Sequence, residues 1–297
     1  PSLWKESGVS FLRENILNRL KLAPDCEFAL EIDPGTWDTK SFNAWRSLGV
    51  NRFSLGLQSL NPDFLKIADR LQTLEESYQV LELFKQNNLN FSADFLLGLP
   101  FSREKKRNII KELEEVLRFN PKHISLYILT VPTGYHHFSQ LPEDEWIRSE
   151  YLEVSDFLKS KGFEHYEVSN FAKPGFHSKN NFVYWSGKSF AAIGPSATGY
   201  YRLAHDKAYR FKWGVSNVKY KGEELGKKEI ELEELYVGLR TNQGLELDQF
   251  PKVIIDKFKQ WQERDLAVLT DKNIFLNSKG FVILDSLMDE LFALKAI

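Results

Sequence analysis

Read from its start, the chain sets short apolar runs between stretches whose apolar residues recur at helical spacing. Four runs read as strands: Phe28–Ile32, Arg52–Leu57, Phe91–Leu97 and His123–Leu129. Between them the spacing predicts helices over Thr39–Leu48, over a broken pair at Pro62–Ala68 and Leu74–Gln86, and over Arg103–Phe119. Strands alternating with helices imply parallel βαβ units with right-handed crossovers, hence an open α/β sheet or a β/α barrel. In either case ligands collect at the carboxyl ends of the strands, where variable loops sit on a rigid sheet.

Beyond Val131 the alternation stops. A Pro/Gly stretch, Val131-Pro132-Thr133-Gly134, leads to an acidic helix near Pro142–Lys161, and an aromatic- and Gly-rich segment runs from Phe163 to about Tyr201. Residues 221–230, KGEELGKKEI, are charged and predict a linker or a solvated helix start. The remainder reads helix, helix, then a hairpin: Ala267–Thr270, a turn at Asp271-Lys272-Asn273, and Ile274–Asn277. A final helix from Asp285 completes a winged-helix-like order. The division expected is therefore a partial barrel over 1–132, an α+β region over 133–225 and a winged-helix-like domain over 226–297.

Composition narrows the partners. In 297 residues, 42% apolar and 14% aromatic, there is enough to bury one large core and a smaller one. A formal charge of −2 gives no global attraction to phosphate backbones, so nucleic acid is not expected as a partner. Lys252, Lys257, Lys259 and Lys272 alternate with Asp256, Glu263, Asp265 and Asp271, the pattern of a solvated helix face. No apolar run approaches the roughly 20 residues of a membrane helix, and PSLWKESGV is unlike a signal peptide. The single cysteine, Cys26, cannot by itself form an internal disulfide, hold a cluster or build a zinc site. A reducing, cytoplasmic location is expected, with membrane association only through a partner.

Each barrel-like strand finishes on a polar or turn-forming cluster: EIDPG from Glu31, NRFSLGLQS from Asn51, DFLLGLP from Asp94, HISLY from His123. Strands buried on both faces should be almost wholly apolar. Glu31, Gln58 and Asp94 therefore need partners, because an unpaired buried carboxylate or amide costs several kcal/mol. Arg70 supplies a positive one. Two readings fit: groups that cap helices and satisfy one another, or a site for a ligand with ribose hydroxyls and an amino-acid zwitterion.

These four clusters, in this order, resemble the radical S-adenosylmethionine (SAM) proteins related to oxygen-independent coproporphyrinogen oxidase. Pro1-Ser2-Leu3 resembles the tail of that family's GGTPS segment. Tyr166–Ala172 (YEVSNFA) with Pro174-Gly175 is similar to the signature of its haem-chaperone branch, HemW, and Asn180–Trp185 (NNFVYW) to that branch's HNxxYW motif. Gly194-Pro195-Ser196-Ala197 falls at a glycine-rich turn, and the likeness continues to Leu239-Arg240.

The resemblance implies a partial radical SAM (β/α)6 barrel lacking its first strands. It implies SAM contacts at Glu31, Gln58, Arg70, Asp94 and Thr130: Arg70 to the methionine carboxylate, Glu31 to the ammonium, Gln58 and Asp94 to the ribose, Thr130 near the adenosine by its backbone position. It also implies a [4Fe–4S] cluster on a CxxxCxxC loop, expected upstream of this chain. The branch implies haem binding and transfer to acceptor proteins, with SAM and the cluster in support. Candidate haem contacts are His177, Tyr184 and Trp185, since Ser178 and Asn180 stand where the branch has cysteine and histidine. His136 and His137 are an alternative pair. Two other functions stay open: oxygen-independent coproporphyrinogen III oxidase, and a degenerate binding protein without a cluster.

Overall fold

A computed structural model describes residues 4–216 and 219–294, so the match at Pro1-Ser2-Leu3 lies outside the described residues. The chain forms two compact units: residues 1–164 with 169–177, and residues 165–168 with 178–297.

In the first unit, α1 (Glu6–Asn15) leads into β1 (Ala29–Ile32), α2 (Thr39–Ser47) and β2 (Arg52–Gln58). There follow α3 (Pro62–Ile67), α4 (Leu74–Gln86), β3 (Phe91–Leu97), α5 (Ile109–Leu117), β4 (His123–Ile128) and α6 (Asp144–Ser160). The first four strands pair in chain order and all in parallel, as the alternation predicts. After β5 (Glu164–Glu167), β6 (Asn170–Ala172) lies antiparallel against β4.

Local chemistry sets the helix starts. Asp38 accepts from the Ser41 amide at 2.8 Å, Asn61 from Asp63 at 2.9 Å, and Thr73 with Glu76 closes a capping box. The helix expected from Arg103 starts later. Residues 101–106 are turns with Phe101 and Lys106 at positive φ, and Asn108 caps α5 by accepting from the Lys111 amide. The boundary expected near residue 133 falls inside the first unit. Tyr151, Val154 and Leu158 form the buried stripe of α6, which packs on α5 and β3.

The core of this unit is aromatic. The Phe84 ring is fully buried, 5.3 Å from both Phe53 and Phe91 and 6.1 Å from Phe42 between centroids. These rings come from α2, β2, α4 and β3, so they join helices to the sheet on one face.

Besides residues 165–168, most of β5, the second unit has α7 (Lys179–Trp185) and an antiparallel sheet of β7 (Thr198–Ala204), β8 (Lys207–Trp213) and β9 (Tyr220–Leu225), in that order. Tyr200, Ala208 and Leu225 from its three strands bury one face against Ile230 of α8 (Lys227–Leu239). The charged stretch 221–230 is thus strand as well as helix start. Its backbone completes the ladder with β8, and its charges suit an edge strand that must not recruit another. The tail follows the expected order: β10 (Leu245–Glu246), α9 (Lys252–Glu263), the hairpin of β11 (Ala267–Leu269) and β12 (Asn273–Leu276), then α10 (Ser278–Phe281) and α11 (Leu284–Phe292). Strand order β10-β12-β11 makes its small sheet. Buried Phe258, Trp261, Ile274, Leu287 and Leu291 fill its core.

Phe84→Ala is expected to cost about 3–5 kcal/mol of stability, because the rings around the void come from three elements, α2, β2 and β3, and cannot collapse together. Denaturant unfolding measures it.

Candidate functional site

Four of the residues singled out from sequence meet in one pocket. Glu31, Gln58, Arg70 and Asp94 line a cavity of about 460 Å³ at the carboxyl ends of the parallel strands, together with Asp33 and Tyr127. Thr130 is not among its lining residues. The chain has left β4 by that point and Thr130 is exposed, so Tyr127 is the side chain that β4 contributes.

Each group is held by its element. Arg70 Nη1 donates to Asp33 Oδ1 at 3.2 Å, which fixes the cation after α3 against the loop after β1. Gln58 closes β2 in the left-handed region at φ 65°, and it is buried. Gly56 lies between these groups. A Cβ there would come within 3.1 Å of both Asp33 Oδ1 and Gln58 Nε2, so its hydrogen keeps the pocket wall open.

Asp94 is the head of a buried polar chain. Its carboxylate oxygens accept from Ser54 Oγ at 2.6 Å and Ser92 Oγ at 2.7 Å; Ser92 in turn meets His123 Nδ1 at 2.8 Å and Ser125 Oγ at 3.1 Å. Burial pushes the Asp94 carboxyl above its ordinary range, and the serine hydroxyls pull against that. Burial holds His123 well below its usual value, so it is neutral. Ser54 also lines the pocket. It was legible as a polar residue in β2, but only the sheet register shows that it reaches Asp94.

A buried ion pair bonds to the same strand ends. Arg107 Nε donates to Glu112 Oε1 at 2.8 Å, and both side chains are shielded from water. The remaining guanidinium nitrogens donate to the carbonyls of Leu96, at the end of β3, and Gln58, at the end of β2. Glu112 Oε2 accepts from Ser59 Oγ and from the Leu60 amide, each at 2.6 Å. The strand ends that carry the pocket are therefore tied to one knot. Glu150 of α6 is buried nearby with one carboxyl oxygen unpartnered. Burial pushes its pKa up to about 7, against the pull of the Arg107 charge and the Gly98 amide.

The haem candidates separate. Tyr184 and Trp185 line a second cavity, about 420 Å³ and walled by aromatics, with Phe190, Tyr200 and Tyr236. His177 is not among its lining residues; its Nε2 is 2.7 Å from Glu164 Oε2 in the first unit. Ser178 and Asn180 have local work instead. Ser178 caps α7 by accepting from the Asn181 amide at 3.3 Å, and Asn180 Nδ2 donates to Tyr184 Oη at 3.1 Å. His136 and His137 lie ring against ring at 4.1 Å, yet no group of three or more His, Cys, Asp or Glu side chains suited to a metal occurs among the described residues. Cys26 Sγ is 3.6 Å from the Glu27 carbonyl.

Parallel strands with a polar pocket at their carboxyl ends define an α/β protein that takes its ligand at the strand ends. A family model described as the radical SAM superfamily matches residues 1–113. The chain is 30% identical over 328 residues to the mitochondrial radical S-adenosyl methionine domain-containing protein 1 of Bos taurus, covering 99% of this chain and 74% of that one. It is 31% identical over 270 residues to the HemW haem chaperone of Synechocystis sp., covering 85% and 65%. To that of Buchnera aphidicola it is 33% identical over 202 residues, covering 67% and 53%. The chain thus spans about half to two thirds of the length of these two HemW relatives. The solved coproporphyrinogen III oxidase HemN of Escherichia coli superposes with a TM-score of 0.77 at 17% identity, over 97% of this chain and 75% of that one, which shows the fold alone.

The chain belongs to the radical SAM superfamily, in the group of the radical S-adenosyl methionine domain-containing protein 1 and HemW proteins.

Two predictions come from the knot and its neighbour. Glu112→Ala leaves Arg107 buried without its counter-charge and is expected to cost about 3–5 kcal/mol, read by denaturant unfolding. Glu150 has its folded pKa above its unfolded value of 4.5. Folding then binds a proton between those values, and stability falls as pH rises from about 4.5 to about 7. Glu150→Gln should flatten that slope and raise stability at pH 8 by up to about 3 kcal/mol, measured by thermal unfolding across pH.

Proposed function

We propose that this chain is the SAM-holding and haem-holding part of a HemW-type haem chaperone, which binds haem and passes it to acceptor proteins. The observation that carries the reading is the aromatic cavity of Tyr184 and Trp185, in a chain that also has a polar pocket at its strand ends. The relatives named haem chaperones support it.

The polar pocket fits SAM in its donor set and in its space. Arg70 offers its free guanidinium edge to the methionine carboxylate, Glu31 accepts from the ammonium, and Gln58 with Asp94 meets the ribose hydroxyls. The missing Cβ at Gly56 leaves room for the ligand between Asp33 and Gln58. Bound SAM would supply a sulfonium centre; the residues here bind and orient it. A [4Fe–4S] cluster does not fit the residues given, because three thiolates are needed and Cys26 is the single cysteine.

The aromatic cavity fits the apolar face of a porphyrin. Ring-on-ring contact with Tyr184, Trp185 and Phe190 supplies burial and stacking. No His, Cys or Met is among its described lining residues. No helix among the described residues is long and apolar enough to cross a membrane; a cytoplasmic protein that reaches membranes through its acceptor is the reading we adopt.

Asp94→Ala, Arg70→Ala and Gly56→Val should each weaken SAM binding by about tenfold or more, with the melting temperature moved by a few degrees at most. Calorimetric titration measures the first and thermal unfolding the second. Equal losses of fold and binding would return these residues to a purely structural role. Haem titration followed by absorbance tests the second site: Tyr184→Leu with Trp185→Leu is expected to weaken binding by about tenfold or more.

A further inference from the structure

The aromatic cavity does not end at its rings. Arg210 lines it, and Arg210 also lines an adjoining groove of about 420 Å³ with Thr198, Lys212, Lys221 and Glu223. The sheet register explains the adjacency. Tyr200, Arg210 and Glu223 form one cross-strand row over β7, β8 and β9; Thr198, Lys212 and Lys221 form the row two residues further along the same face. The step between rows is about 7 Å.

The charges differ sharply between the rows. Arg210 is neutralised, with Nε 2.7 Å from Glu223 Oε1 and Nη1 against Glu233 of α8. Glu234 on the cavity rim is likewise paired, to Arg202 at 2.6 Å. Lys212 and Lys221 stand directly opposite each other on adjacent strands, and neither has a carboxylate partner among the described residues. Like charges placed directly opposite in a sheet destabilise it. Here two of them sit with a hydroxyl, Thr198, beside an aromatic cavity whose other charges, Arg202 and Arg210 against Glu223, Glu233 and Glu234, leave one net negative charge, so the lysines are its unmatched cations.

We infer that Lys212 and Lys221, with Thr198, are the carboxylate subsite of the aromatic cavity. The ligand class this selects is a planar apolar ring bearing two short carboxylate arms. The ring lies against Tyr184, Trp185 and Tyr200, and the arms reach one strand row onward to the lysines. This rests on the haem reading above and deepens it: the cavity recognises the ring and the acids, through contacts that need no metal.

The probe is metal-free protoporphyrin IX, compared at low salt with the same porphyrin whose two carboxylates are converted to neutral hydroxyethyl amides. Fluorescence quenching gives both affinities for the native chain and for the K212Q/K221Q double variant. The diacid is expected to bind the native chain about tenfold or more tightly than the diamide, and salt should erode that preference. The double variant should lose the preference, keep its diamide affinity, and unfold at an unchanged or higher temperature because a repulsion has gone. Equal affinity of diacid and diamide for the native chain would sink the subsite while leaving the porphyrin reading intact. So would a double variant that still prefers the diacid. Binding of neither porphyrin removes the cavity reading and the subsite with it.

Discussion

A guanidinium and a carboxylate that water cannot reach hold the first unit's pocket in shape. Arg107 and Glu112 satisfy each other and then spend their remaining donors and acceptors on the ends of β2 and β3: the Gln58 and Leu96 carbonyls, the Ser59 hydroxyl and the Leu60 amide. A buried pair of this kind contributes little net stability compared with apolar packing, but removing one partner is severe. Its value lies in geometry. The strand ends that it ties together are the ones from which Gln58 and Asp94 enter the pocket, and Gln58 sits there in a left-handed conformation that free backbone would seldom hold.

The pocket itself is built by partial neutralisation. Asp94 is buried, yet two serine hydroxyls donate to it, and Asp33 holds Arg70 by a single contact. Such groups are satisfied enough to survive folding and retain capacity for a zwitterionic ligand. The second unit uses the opposite chemistry. Its cavity is aromatic, and the carboxylates on its rim are held by Arg202 and Arg210, so the cavity itself offers a ligand mainly apolar faces. The two sites therefore suit two different molecules without competing for either.

Glu150 adds a cost within the same unit. A buried carboxyl with one oxygen unpartnered, whose pKa has risen to about 7, opposes folding once it ionises. It lies beside the Arg107 charge, which moderates the penalty without removing it. The α6 helix that carries it is otherwise held by ordinary apolar contacts through Tyr151, Val154 and Leu158.

The sequence by itself determined the parallel strands, most helix limits and the set Glu31, Gln58, Arg70 and Asp94, because period and polar strand ends are local properties. β3 and α4 coincide with their expected limits to the residue. What it left undecided depended on pairing across distance. Ser54 reaches Asp94 only through register, and Tyr127 rather than Thr130 enters the pocket because β4 ends where it does. Residues 221–230 read as a linker or a solvated helix start; the helix start is there at Lys227, but an edge strand's charges hide its ladder, which exists only once β8 lies beside it. Ser178 and Asn180 looked like lost metal ligands; the folded chain shows a helix cap and a partner for Tyr184. Tertiary structure alone decided that His177 turns to Glu164 while Tyr184 and Trp185 share a cavity, since spacing along a chain says nothing of which unit a side chain joins.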